Sequence, residues 1–500
     1  MTASPGGEDL SGSPLARSAA SGVRWTSLAS GAVAALSFVQ TLVIARILEP
    51  ADFGLMAAAL VVVALGGAFA DAGLASAVIA RRTTPETLSS LYWLNLLAGA
   101  LVCVVLVVAA PLVSAFFEEP RLEWVVRAAA PAFLVAALGQ QFDWLLRKAL
   151  RFRPVGLAQI IGAALGTSVA IGTALLGSGV YSLIMGMLAS SLANAIALMT
   201  VGLRQWKPML RFRWSDVRPY LDFGLYQMGE RAVNYLGANT DYVLIGRYLG
   251  PSVLGTYSVA YQLVVKPVTL INPMLNRVAF PVFAARADDD TLRRGYLHVV
   301  RLLAYVTFPL LLGLAILAPD FVRVALGPKW EASIPVLQVL CGVGILRSLA
   351  NPVGSVLLAK NRPDLGFKGN VVLFAAMAIV LLIAIQFGIM AVAWASLAVT
   401  LVAYVGWLLV LRRVVGLRAG EYVRALRAPC GFSVVMAGCM ELLHLSLSGA
   451  AVQPLLVLVA VGSTGSLVYA GMLAAFDASY VRGLWRLFTG GGAPTASAER

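Results

Sequence analysis

Long apolar runs separated by short polar loops repeat from residue 22 to residue 476. A helix crossing about 30 Å of hydrocarbon needs about 20 mostly apolar residues. On that measure the pattern predicts spans at 22–46, 53–80, 90–117, 124–146, 155–177, 179–202, 220–247, 252–274, 296–318, 332–359, 367–388, 390–412, 429–447 and 454–476, about fourteen transmembrane helices in all. Residues 1–21 read as a disordered polar tail with no cleavable signal pattern, so the first span is retained. Residues 477–500 open with a surface-helix pattern, Arg482-Gly483-Leu484-Trp485-Arg486-Leu487-Phe488, and end in polar residues.

The loop charges agree with this register. Loops after even-numbered spans are basic: Arg81 and Arg82, then Arg147, Lys148, Arg151 and Arg153, then Arg204, Lys207, Arg211, Arg213 and Arg218, and likewise after spans eight, ten and twelve. Loops after odd-numbered spans carry few cations. Basic loops stay in the cytoplasm, which places both termini there and makes the chain a multi-pass protein of the cytoplasmic membrane. The loop at 204–218 interleaves Trp206, Leu210, Phe212 and Trp214 with cations, a composition suited to the membrane interface.

Composition strengthens the class. The chain is 60% hydrophobic and 12% charged, with a mean hydropathy of +0.84. Soluble domains carry about 25% charged residues. The net charge of +14 resides between spans, so it reports topology and not nucleic-acid binding. Cys103, Cys341, Cys430 and Cys439 lie in apolar runs without metal-type spacing, and His298 and His444 are far apart in sequence. No Walker A loop, zincin motif or Gly-x-Ser-x-Gly occurs, so the chain is not expected to be an enzyme.

An internal repeat organises the spans. Arg46-Ile47-Leu48-Glu49-Pro50-Ala51-Asp52-Phe53-Gly54 recurs as Arg247-Tyr248-Leu249-Gly250-Pro251-Ser252-Val253-Leu254-Gly255, with Arg, Leu, Pro and Gly aligned without a gap. Each Pro ends one helix and can open the next at its first turn. The offset covers six spans, an even number, so spans one to six and seven to twelve are parallel repeats. The predicted organisation is a tail (1–21), an N-lobe (22–202), an inter-lobe linker (203–219), a C-lobe with its following loop (220–428), two further spans (429–476) and a tail (477–500).

Ionisable groups within spans are costly and mark a pathway or an internal pair. Span seven carries Glu230, Arg231, Asn234 and Asp241; span eight carries Gln262 and Lys266, the latter directly before Pro267. That Pro, with Asn272 and Pro273 beyond it, predicts an interrupted helix beside a cavity or packed protein. Arg24 lies near the start of span one, Asp71 in span two, and Arg347 is the single charged residue of span ten. Under the repeat offset Asp71 falls on Asn272 and Gln40 on Asp241. Structural readings stand beside the functional ones. Arg46 and Arg247 at helix ends are explained by snorkelling to headgroups, Asp71 by a break at Gly73, and Glu230 with Arg231 by an interhelical charge pair.

The motifs Ala45-Arg46-x-Leu48-x-Pro50-x-Asp52-Phe53-Gly54, Phe69-x-Asp71-x-Gly73-Leu74, Asn239-x-Asp241-x-x-x-Ile245-Gly246-Arg247-x-Leu249-Gly250, Leu254-Gly255-x-Tyr257 and Phe280-Pro281 resemble those of bacterial polysaccharide-export flippases of the multidrug/oligosaccharidyl-lipid/polysaccharide superfamily, in the branch serving O-antigen and exopolysaccharide. The resemblance is densest over 22–153 and 220–294. It implies an all-α fold of two six-helix lobes in a V around a central cationic cavity, plus two C-terminal helices. It implies translocation of an undecaprenyl-pyrophosphate-linked oligosaccharide, with membrane lipids, a polysaccharide polymerase and glycosyltransferases as candidate partners. In related lipid II flippases, arginines in spans one, two and eight hold the pyrophosphate; here those spans offer Arg24, Asp71 and Lys266.

The candidate substrate-binding residues are therefore Arg24, Arg231, Lys266, Arg347, Asn234 and Gln262. Asp71, Glu230 and Asp241 are candidate counter-charges or coupling groups for protons or sodium, with no metal and no other cofactor expected. The alternatives are a multidrug/cation antiporter of the same superfamily, using the acidic residues, and a non-transporting scaffold for glycan assembly.

Overall fold

The structure, a computed structural model, describes residues 14–70, 78, 83–218, 220, 235–284, 288–448 and 453–477. Among these residues the chain is helical, without strands. The elements are α1 (Pro14–Ile47), α2 (Pro50–Ala70), α3 (Pro85–Phe117), α4 (Arg121–Ala129), α5 (Ala132–Lys148), α6 (Phe152–Leu175), α7 (Val180–Gly202), α8 (Thr240–Tyr248), α9 (Gly250–Ala284), α10 (Asp289–Phe321), α11 (Ser333–Ala359), α12 (Pro363–Ala384), α13 (Ile389–Val415), α14 (Ala419–Ser448) and α15 (Pro454–Phe476).

Twelve stretches among the described residues are long and apolar enough to cross a membrane. They coincide with twelve of the fourteen expected spans. Half of the expected span at 220–247, residues 221–234, lies outside the described residues, which show its end as α8. The one at 252–274 is α9, helical along its length. Apolar side chains cover the outside: Leu97, Leu101, Val108 and Leu112 share one face of α3, and Leu112 is 74% exposed. In water such a face would drive association; in lipid it is solvated.

The chain forms two compact units, Met1–Gln262 with Asn370–Ala395, and Leu263–Gly369 with Ser396–Arg500. In the first, α6 packs against both α1 and α7. Its Gly162, Gly166 and Ala170 face Ser190 and Gly186 of α7; a Cβ on Gly166 would lie 2.7 Å from the Gly186 carbonyl oxygen. Small residues four apart let helix backbones approach closely where no hydrophobic effect drives association. On the other side of α6, Thr167 donates to Gln40 of α1 (3.1 Å) and the Arg153 guanidinium stacks 5.3 Å over the Trp25 ring.

The repeated motif makes the closest contact in this unit. Pro50 opens α2, and Pro251 stands in the first turn of α9, as the sequence predicts. The two turns cross reciprocally. A Cβ on Gly54 would lie 1.7 Å from the Pro251 carbonyl oxygen, and one on Gly255 would lie 1.7 Å from that of Pro50. The loop between α3 and α4 clasps both copies. Arg121 pairs with Asp52 at 3.2 Å, and Glu118 pairs with Arg247 at 2.6 Å. Arg247, expected to reach headgroups, is instead held by Glu118, with the Phe116 and Tyr248 rings 6.0 and 5.9 Å away. Glu118 adopts a left-handed backbone (φ 54°), a conformation that costs about 1–3 kcal/mol outside glycine.

Residues 203–218 are strapped to the start of α3. Trp93 donates to the Met209 carbonyl (2.8 Å), the Met209 amide donates to Ser89 (3.1 Å), the Arg213 amide to Ser90 (3.1 Å), and Ser90 to Asp216 (3.1 Å). Leu210 (93% exposed) and Trp214 remain outside.

The second unit is built around α10, which packs on α11, α14 and α15. Tyr296, Val300 and Leu303 of α10 join Val353 and Val356 of α11, Leu411 of α13 and Tyr422 of α14 in one core. The α14–α15 hairpin lies outside the repeat yet is tied to α10. Near its start, Glu421 pairs with Arg293 (3.1 Å). Near its end His444 Nε2 meets Asp320 Oδ2 at 2.8 Å, a partner that sequence distance hides. These contacts are about 35 Å apart along α14 at 1.5 Å per residue. Asp477, following α15, pairs with Arg301 and accepts from the Tyr305 hydroxyl, while Tyr469 donates to the Tyr305 carbonyl (2.8 Å).

Two outcomes follow from this packing. Gly54→Val and Gly255→Val force a carbonyl away from each new side chain. Overpacking of this kind costs about 1–3 kcal/mol or more, so each variant is expected to lower the thermal midpoint of the purified protein by several degrees. Gly172→Ala, where a Cβ meets nothing within 4 Å, leaves it unchanged. Asp477→Ala removes the carboxylate shared by Arg301 and the Tyr305 hydroxyl, which keep their bond to each other (3.3 Å); losing a hydrogen bond to a charged group costs about 1.5–3 kcal/mol. Thermal unfolding should show a drop that Arg301→Ala in the same chain does not deepen by an equal amount.

Candidate functional site

Charged groups placed within apolar helices define the candidate site. Two of the expected cations are described in full, both in the second unit. Lys266 lies half-buried on α9 and Arg347 half-buried on α11. The two helices cross where α11 lacks a side chain: a Cβ on Gly344 would lie 2.4 Å from Val264 Cγ1. Lys266 is two residues from that contact on α9 and Arg347 three on α11; at 3.6 residues per turn Lys266 leaves its helix on the side away from Val264. An ammonium gives a compact charge with three donors and a guanidinium a planar fork, and both suit phosphate oxygens.

The expected interruption at Pro267 is absent. α9 runs unbroken through Pro267 and Pro273. Proline removes the bond to the carbonyl four residues earlier, that of Leu263, without ending the helix, because packed neighbours hold the turn. Lys266 therefore sits on a continuous helix.

Asp241 on α8 is 3% exposed. The Tyr257 hydroxyl donates to its Oδ2 (2.8 Å), and the Tyr242 amide donates to its Oδ1 (3.0 Å). Tyr242, Tyr257 and Tyr261 form a ring cluster with centroids 5.8–6.2 Å apart. Gln40, its counterpart under the repeat, accepts from Thr167. Equivalent positions thus each tie two helices by one polar bond. Gln262 is half-buried on α9, one residue after Tyr261. Arg24 lies on α1 with its side chain outside the described residues, and Asp71, Glu230, Arg231 and Asn234 lie outside them altogether.

The first unit also holds a half-open, mostly apolar pocket of about 370 Å³ with several polar side chains in its lining, which sequence reasoning did not find. Asn95 of α3, Gln140 and Asp143 of α5, Gln159 of α6, and Asn194 of α7 line it, with Arg147 at its edge. Its polar residues are spread over four helices, with Gln140, Asp143 and Arg147 together on α5, so no spacing within one segment announces it. The Gly-x-x-x-Gly pair at 162 and 166 is the one nearby signal, and it marks the α6–α7 contact and not the cavity.

Comparison with known proteins follows these features. A family model described as polysaccharide biosynthesis protein matches residues 43–335. The teichuronic acid biosynthesis protein TuaB of Bacillus subtilis (strain 168) is 33% identical over 412 residues, 82% of this chain and 85% of that protein. The lipopolysaccharide biosynthesis protein WzxC of Escherichia coli (strain K12) is 35% identical over 353 residues, 70% and 72% of the two chains. Among solved structures, the lipid II flippase MurJ in an inward closed conformation superposes with a TM-score of 0.72 at 13% identity, covering 91% of this chain and 99% of that one. That likeness concerns the fold, and it agrees with the architecture implied by the repeated motifs. With a family match over more than half its length, the chain belongs to the polysaccharide biosynthesis protein family of flippase-fold membrane proteins.

Proposed function

We propose that this protein carries undecaprenyl-pyrophosphate-linked oligosaccharide repeat units from the inner to the outer leaflet of the bacterial cytoplasmic membrane, for exopolysaccharide or O-antigen-type assembly. The observation that supports this most is that two cations, Lys266 and Arg347, are half-buried within apolar helices. A pyrophosphate entering hydrocarbon loses hydration worth many kcal/mol unless charges replace it. Such cations supply that replacement, and the apolar outer faces leave the prenyl chain in lipid.

In this reading Arg24 and Arg231 join Lys266 and Arg347 on the pyrophosphate, while Asn234 and Gln262 contact polar groups of the substrate. Asp71, Glu230 and Asp241 serve as counter-charges or as proton- or sodium-coupling groups. The lobes 22–202 and 220–428 rock about the linker 203–219. The Gly54–Gly255 crossing with its two ion pairs is the closure on the face poor in basic residues, and it parts when substrate leaves. The termini and basic loops are cytoplasmic. The step is a translocation with no covalent change, and a polysaccharide polymerase and glycosyltransferases act before and after it. A multidrug/cation antiporter is the second reading. Lys266 and Arg347 weigh against it, because they repel a cationic drug.

In a strain lacking the gene, Lys266→Ala and Arg231→Ala should each reduce surface polymer at least about tenfold, the effect of losing about 1.4 kcal/mol of binding. Membrane levels of the protein should be unchanged. Lys266→Arg should retain most export. Wild-type polymer from both alanine variants would remove the two cations from the mechanism. Drug tolerance conferred without any polymer defect would favour the antiporter.

A further inference from the structure

The linker at 203–218 mixes aromatics with cations, and the structure sorts them into an inner and an outer side. Inside, the Trp206 ring packs against Tyr92 and Phe142, with centroids 6.1 and 5.9 Å away, and its indole N–H donates to the Pro85 carbonyl (3.4 Å). Outside stand Leu210, Phe212 and Trp214, at alternate positions and all exposed. The Arg211 amide donates to the Met209 carbonyl (2.8 Å), a tight turn that bends the chain at Leu210 and leaves its side chain outermost. Arg204, Lys207, Arg213 and Arg218 of the same stretch are exposed and form no ion pair among the described residues. Asp216, the one acid of 203–218, accepts from Ser90.

The level of this surface in the bilayer follows from α3. Leu97, Leu101, Val104, Val108, Leu112 and Phe116 recur at helical spacing and are all exposed, one continuous lipid-facing stripe. From Leu97 to Phe116 the stripe measures about 29 Å at 1.5 Å per residue, which matches the roughly 30 Å thickness of hydrocarbon. Trp93 stands on the same face one turn before Leu97, about 6 Å outside that stripe. Its indole N–H donates to the Met209 carbonyl (2.8 Å), so Leu210, the next residue, is held at the boundary between acyl chains and headgroups. The Met209 amide on Ser89 and the Arg213 amide on Ser90 fix the rest of the segment to the adjoining turn of α3.

We infer that the linker 203–218 is a binding surface for anionic phospholipid, with Leu210, Phe212 and Trp214 in the headgroup–acyl boundary and Arg204, Lys207, Arg213 and Arg218 on the phosphates. Aromatic rings settle at that depth because one part of the ring system is apolar and the surroundings are wet. Clustered cations at the same depth are attracted to a negatively charged leaflet and gain far less from a zwitterionic one. A second copy of this chain fits poorly, because a symmetric pair would set the same cations against each other. Lipid bound here grips a segment already pinned to α3, and so sets the depth of the first unit in the membrane. Binding of this kind does not depend on which substrate is carried.

The test places the full-length protein in phosphatidylcholine nanodiscs that contain a minor share of brominated lipid, either phosphatidylglycerol or phosphatidylcholine. Bromine quenches indole fluorescence on contact, and the difference between the wild-type chain and Trp214→Phe isolates the Trp214 signal. Brominated phosphatidylglycerol should quench that signal at least about threefold more than brominated phosphatidylcholine. Bromines high on the acyl chain should quench it more than bromines near the chain end. Salt at about 1 M should narrow the gap between the two lipids, since the screening length falls to about 3 Å. Combining Arg204→Gln, Lys207→Gln and Arg213→Gln should abolish the preference and leave the thermal midpoint in phosphatidylcholine unchanged. Equal quenching of the wild-type chain by the two lipids would overturn the inference, and that comparison needs no charge variant to fold. A Trp214 signal that no lipid quenches would overturn it too, leaving this face to water or to an acidic soluble partner. Strongest quenching from the chain ends would refute the boundary placement, and a preference that survives in the triple variant would refute the role of its cations.

Discussion

Two helix backbones touch only where neither carries a Cβ at the crossing. Gly54 and Gly255 meet that condition reciprocally, each facing the carbonyl of the other copy's proline. In a membrane this geometry matters more than in water, because lipid tails are as apolar as leucine and helix association depends on close packing and on hydrogen bonds. The duplicated loop therefore does two things. It turns the chain between spans, and its two copies form a self-complementary contact. The ion pairs from the α3–α4 loop, Arg121 to Asp52 and Glu118 to Arg247, bracket that contact from one segment. Contacts of this kind are discrete, made or parted as a whole, which is what a two-state transporter requires of a closure.

The second constraint is the cost of polarity inside hydrocarbon. Most polar side chains described here have been given one defined structural partner. Gln40 accepts from Thr167, Asp241 from Tyr257, and Asp320 meets His444. The hairpin of α14 and α15 stands outside the repeat, yet charged or polar contacts at each end of α14 and beyond α15 bind it to α10. It is thus part of the second unit's framework and not a loose appendage. Not every buried polar atom is satisfied: the amide oxygens of Asn95, Gln141 and Asn194 and the hydroxyls of Tyr296, Ser348, Tyr404 and Tyr422 are buried without a hydrogen-bond partner.

Two half-buried cations, Lys266 and Arg347, stand on helices that touch at Gly344 and Val264, where the missing side chain of glycine lets the contact form.

The twelve membrane spans among the described residues were legible in the sequence because apolar length and loop charge are local properties, read one stretch at a time. The repeat was legible because its residues stand in line, and the family followed from the same motifs. The unbroken course of α9 was not legible, since Pro267 lowers local helix stability and only packed neighbours decide whether the turn holds. Nor was the pairing of Asp320 with His444, 124 residues apart. The same applies to the cavity, whose amides come one from each of several helices. Sequence by itself determined that the chain is a helical multi-span protein and where twelve of its spans lie among the described residues. Which side chains meet was decided only in the tertiary structure, because helix rotation and crossing position are set by packing between segments distant in the chain, and no periodicity within one segment encodes them.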